Sequence, residues 1–149
     1  SLPNPKSLTS LNAIQNWDVS KVSKFSYAFR GCSSLKDYKF LEKWNVCQAE
    51  KLLGIFQDSG VENIDLSSWN IKRATLLRSI LENSTIQVAN LTGWKIPAND
   101  ETYKIMFSEN DQNYRPKDGC NRSAMFFKCP QLMQVIGLDE ALIKKYNKK

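Results

Sequence analysis

The residues able to do chemistry are few in this chain, and what is missing narrows the options as much as what is present. There is no histidine, which removes the usual general base near neutral pH, the His-containing nucleophilic triads and any zinc site with an imidazole ligand. The four cysteines, Cys32, Cys47, Cys120 and Cys129, do not have the close pairwise spacing of a structural metal knuckle. Cys32 and Cys129 fall in matching segments, AFRGCSSL and MFFKCPQL, where a free thiol reads as a small core hydrophobe. Cys47 and Cys120 lie outside that position, so any disulfide would involve one of them. The carboxylate neighbours Asp100–Glu101 and Asp139–Glu140 do not face one another on a helix and read as helix-start charges. Asp111, Asn113 and Asp118 offer oxygen ligands for calcium, but the closing Glu and the central Gly of an EF-hand loop are missing. Phosphate-cradling glycine motifs, a nucleophile elbow and a zinc-protease helix are likewise absent from the sequence. The expectation is a non-enzyme with no catalytic residue, no metal and no cofactor.

Binding chemistry has more to work with. Lys+Arg number 21 against 15 Asp+Glu, a formal charge of +6, and such a field attracts anionic partners. Lys21 and Arg73 both stand four residues after a Trp, and Lys24 and Lys51 both seven after one. Aligned positions would form a basic stripe, with a merely solvated face as the plain alternative. Tyr114, Arg115 and Lys117 belong to the polar segment 108–124, SENDQNYRPKDGCNRSA, which reads as an insertion loop, and loops on a rigid scaffold are where binding concentrates. These seven residues are the candidate binding set. Three N-x-[S/T] triplets, at Asn83, Asn90 and Asn121, are about what chance gives for this composition and say nothing about glycosylation.

The elements that must position these residues follow from a period. Trp17, Trp44, Trp69 and Trp94 are spaced 27, 25 and 25, each with a β-branched residue two further on. Apolar residues two apart, Ile64 and Leu66 or Ala89 and Leu91, predict a short strand before each Trp. Val22, Phe25, Phe29 and Cys32, like Leu52 with Phe56 and Leu77 with Leu81, have helical spacing, which predicts a short helix after each Trp, Ser20 or Ser23 capping the first. The tryptophans then belong to the core. Units of this length must pack on their neighbours, so the predicted fold is a single α/β domain, a leucine-rich-repeat-like solenoid of short strands and helices over residues 1–149. It would have four to five repeats, an extended lead-in at 1–10 and a C-terminal capping helix at 138–149, in LDEALIKKYNKK. No stretch is long and apolar enough to span a membrane. The opening SLPNPKSLTS has neither an initiator Met nor a signal peptide, as expected of a processed product or an excised piece.

WDVSKVSKFSYAFRGCSSL, residues 17–35, resembles the repeat of the BspA-like leucine-rich-repeat surface proteins, and so do LSSWNI at 66–71 and MFFKCPQL at 125–132. Residues 42–60 and 76–110 depart from that pattern, with Cys47 in place of Ser, Leu81 of Phe, and Ser84 or Asn110 of Cys. The resemblance implies adhesion or protein recognition at a cell surface or outside the cell, and carries no catalytic residues. The expected function is therefore non-enzymatic protein–protein recognition. A structural subunit of a larger, intracellular assembly and a basic binder of nucleic acid or anionic surfaces are the alternatives.

Overall fold

A computed structural model describes residues 11–148; the lead-in expected at 1–10 and the terminal Lys149 lie outside the described residues. The chain forms one open three-stranded parallel sheet of β1 (Asn63–Asp65), β2 (Val88–Asn90) and β3 (Gln134–Ile136), in that order. Among the described residues, two seven-residue helices, α1 (Asp100–Met106) and α2 (Glu140–Tyr146), and two 3-10 helices, Asn12–Ile14 and Lys39–Lys43, accompany the sheet. This overturns the expected leucine-rich-repeat-like solenoid of four to five strand-and-helix repeats. Strands precede only Trp69 and Trp94, 3-10 turns precede Trp17 and Trp44, and neither α-helix follows Trp17, Trp44 or Trp69. Nor is there a first helix for Ser20 or Ser23 to cap; Ser20 bonds instead to the Asp18 carboxylate, by its N–H at 3.0 Å and its hydroxyl at 2.6 Å.

The segments read as helices are rows of turns, and their hydrogen bonds show why the periodicity misled. Phe25, Tyr27, Phe29 and Gly31 donate their N–H groups to the carbonyls of Lys51, Leu53, Ile55 and Gln57. Leu52, Gly54, Phe56 and Asp58 donate in turn to Leu76, Arg78, Ile80 and Glu82, and Leu77, Ser79, Leu81 and Asn83 to Asn121, Ser123, Met125 and Phe127. Intervening residues donate back three positions, Ala28 to Phe25 and Ile80 to Leu77 among them. A helix needs each N–H for its own ladder, and here alternate N–H groups are committed to the neighbouring row. Each row carries two left-handed residues four apart: Tyr27 and Gly31, Gly54 and Asp58, Ser79 and Asn83, Ala124 and Lys128. That four-residue recurrence returns apolar side chains to the core at nearly the helical interval.

The sheet is built by the same economy. Ile64, Ala89 and Val135 are in register and buried, while the residues on either side of each point away from the core. Asp65 and Asn90 close their strands by accepting the N–H of Ser67 (2.9 Å) and Thr92 (3.1 Å), the side-chain turn that Asp and Asn favour. At the corners, the indole N–H groups of Trp44, Trp69 and Trp94 donate to the carbonyls of Ile14, Leu41 and Leu66 at 3.0, 2.8 and 2.9 Å. Trp17 departs from the core expectation: it is 57% exposed. Phe29 and Phe56 stack with centroids 5.9 Å apart and planes at 7°, in a cluster with Tyr38, Phe40 and Trp44. The far row is closed by α1, whose Ile105 and Met106 carbonyls accept the N–H groups of Ala124 and Phe126. Asn99 caps α1 by accepting from Thr102 (2.8 Å) and Asp139 caps α2 by accepting from Leu142 (2.9 Å). Among the described residues no helix is long and apolar enough to cross a membrane.

Candidate functional site

The polar segment after α1 is held to the scaffold by side chains chosen for turns. Asp111 accepts the N–H of Asn113 (3.0 Å) on its carboxylate, while its own carbonyl takes the Asn121 amide (2.8 Å) and the Ser123 hydroxyl (3.3 Å). Gly119, at φ +75°, completes a turn by donating to Pro116, a conformation that glycine adopts without a Cβ penalty. Asp118 accepts from Cys120 N–H (3.1 Å) and from the Arg122 guanidinium (2.7 Å), and that cation with its hydrogen bond holds the Asp118 carboxyl below its ordinary range. Of the oxygen ligands the sequence offered for calcium, the carboxylates of Asp111 and Asp118 are thus engaged in a backbone turn and in a turn with an ion pair.

Between this segment and the turn rows lies a cleft of about 470 Å³. Its scaffold wall is Lys51, Thr75, Leu76 and Arg78; its loop wall is Gln112, Asn113, Tyr114, Arg115, Gly119 and Asn121. The scaffold wall is positioned by parallel bridges that join Lys24 to Lys51, Lys51 to Leu76 and Leu76 to Asn121. Three cations line the cleft and no carboxylate does. Lys51 is half-buried and its ammonium donates to the Thr75 hydroxyl at 2.8 Å. Arg115 folds onto its own loop, donating to the carbonyls of Gln112 (2.8 Å) and Tyr114 (2.9 Å). The Arg78 Nε is fully buried with no hydrogen-bond partner among the described residues. Burial raises the Tyr114 hydroxyl's pKa above its ordinary value, and the hydroxyl's bond to Glu101 (3.1 Å) adds to this, so it is a neutral donor at physiological pH.

Of the seven residues expected to bind, Lys51, Tyr114 and Arg115 meet in this cleft, and Lys24 is bridged to Lys51 beside it. Lys117 lines an adjoining hollow with Glu101, Asp118 and Arg122. Lys21 is exposed and outside these hollows, and Arg73 pairs with Glu50 at 3.9 Å on the surface. The stripe is therefore two residues long, since Leu76 and Asn121 continue the Lys24–Lys51 column. Arg78 is the residue the sequence reading passed over, and its signal was there: a lone cation inside LLRSIL. A larger hollow of about 560 Å³ carries Lys72 and Lys95, but its Arg122 is already neutralised by Asp118.

The thiols make no contribution to this site. All four cysteines are free, and burial pushes Cys120 and Cys129 up to about 11 and raises Cys32. Cys129 donates to the Leu81 carbonyl at 3.0 Å.

No curated protein and no solved structure matches the chain. Residues 4–119 match a family model described as "Mycoplasma protein of unknown function, DUF285". The match takes in the first three turn rows, all four tryptophans, β1, β2, α1 and most of the loop that walls the cleft. The chain therefore belongs to the DUF285 family of Mycoplasma proteins of unknown function.

Proposed function

We propose that this protein is a non-catalytic recognition module that engages a protein partner through the face built by residues 108–124. The observation that carries the reading is the cleft beneath that loop, where Lys51, Arg78 and Arg115 converge without a carboxylate among the lining residues. A cationic recess of this kind selects partners that present acidic groups, by steering at long range and by charge complementarity on contact. The similarity of residues 17–35 to BspA-like surface proteins supports adhesion and display outside the cell as the setting.

A photocrosslinking amino acid at Lys117, on the loop, and another at Ile136, on β3, test this on intact source cells. The expected result is a discrete adduct from position 117 that persists between about 100 and 500 mM salt, a range over which exposed charge contacts are progressively screened. The same adduct should vanish with Arg115→Glu, and position 136 should give none. Equal adducts from both positions, or none from either, would overturn the reading.

A further inference from the structure

We infer that the cleft under the 108–124 loop is a binding site for a phosphate monoester, with Arg78 as its principal anchor. This deepens the recognition reading by naming the group that the cleft holds.

The first argument is the state of Arg78. A buried N–H without a partner is costly, and native structures retain such groups where a ligand, ion or water completes them. Arg78 Nε is such a group, and among the described residues the Arg78 side chain has neither an ion pair nor a hydrogen bond. The Arg78 main chain is fixed, because its carbonyl accepts the N–H of Gly54 at 3.0 Å. The guanidinium is thus carried on a rigid row that lines the cleft, and no carboxylate or hydrogen-bond acceptor among the described residues compensates its charge.

The second argument is charge. Lys51 and Arg115 line the same cleft, and neither has a carboxylate partner among the described residues. A single carboxylate would leave two of the three positive charges uncompensated, whereas a phosphate dianion offsets two of them and offers three acceptor oxygens. The planar fork of arginine matches those oxygens, and a lysine ammonium supplies a point charge beside it. Gln112 and Asn113, whose side chains carry neutral amide donors, line the opposite wall. A volume of about 470 Å³ exceeds what a bare ion fills, leaving room for the organic group of an ester.

The test is a titration of the isotope-labelled full chain with inorganic phosphate, phenyl phosphate and acetate, following backbone amide resonances. Saturable shifts are expected at Thr75, Gln112, Asn113 and Gly119 with both phosphates, and binding about tenfold weaker or more with acetate. Tighter binding of phenyl phosphate than of inorganic phosphate identifies the ester as the ligand; equal binding of the two overturns the ester assignment. Arg78→Met should weaken phosphate binding about tenfold or more while leaving the thermal midpoint unchanged or higher, because it removes the orphaned N–H and keeps an apolar stem. A lowered midpoint would show that Arg78 serves the fold and would overturn the inference. Lys51→Met with Arg115→Met gives an independent reading, expected to lose the phosphate shifts with the fold intact. Shifts scattered over Lys72 and Lys95, or binding unchanged in these variants, would also overturn it. No partner protein is needed, so failure here with a surviving crosslink at position 117 refutes the phosphate site alone.

Discussion

At the scale of single residues, one amino-acid type plays two parts according to what stands beside it. Trp44, Trp69 and Trp94 are buried, each with its indole N–H on a carbonyl at least 28 residues earlier in the chain, and Trp17 is exposed. Replacing Trp69 with Phe removes the bond to Leu41 and shrinks a packed ring, which should cost about 1–3 kcal/mol. Trp17→Phe should change stability by less than about 0.5 kcal/mol, as surface substitutions usually do. Denaturant melts of the two variants check this; equal losses would mean that Trp17 is as much a part of the core as Trp69. The spacing of the tryptophans made the buried three legible, but an exposed residue at the start of a series carries the same sequence signal as its buried counterparts. The N-x-[S/T] triplets at Asn90 and Asn121 have a similar lesson. Their side-chain oxygens accept from Thr92 (2.7 Å) and Ser123 (2.9 Å) two residues on, so the pattern reflects turn chemistry.

At the scale of elements, the strands before Trp69 and Trp94 and the acidic start of the tail helix were readable, because alternation and capping are local signals. The turn rows were not. Their buried residues recur at three- and four-residue intervals, as in Leu52, Ile55, Phe56 and Ser59, and only the hydrogen bonds to the next row distinguish them from a helix. Those bonds join residues 24 to 44 apart, which no window of local sequence can report. The same tightness gives a prediction at this scale. A Cβ at Gly60 would overlap the Ser33 carbonyl oxygen, a backbone atom fixed between rows, where the Gly60 N–H already donates to Cys32. Gly60→Ala should therefore cost about 1–3 kcal/mol by forcing the rows apart, measurable as a drop in denaturation midpoint. An unchanged midpoint would show that the first two rows separate freely.

At the scale of the whole molecule, the loop and the scaffold depend on each other unequally. The row at 121–127 supplies the carbonyls for Leu77, Ser79, Leu81 and Asn83, and its own N–H groups at Ala124 and Phe126 are taken by α1. It is thus held on both sides by bonds that do not pass through the exposed loop tip. The candidate site, by contrast, needs that tip, since Gln112 to Arg115 form one wall of the cleft and Lys51 and Arg78 the other. This is why polarity alone marked the loop as a candidate, while the wall opposite it was only half marked: Lys51 stood out by its register with Lys24, and Arg78 had no counterpart to mark it. Limited trypsin should cut after the exposed Lys117 and leave Arg115–Pro116 intact. The two fragments should then remain associated, because rows and α1 hold them together, with far-UV circular dichroism close to that of the uncut chain. Removing residues 107–149 altogether should instead abolish folding, since it strips the partners from four N–H groups of the 77–83 row and a large part of the core. Fragments that separate on nicking, or a truncated chain that keeps a cooperative melt, would show that the order of dependence runs the other way.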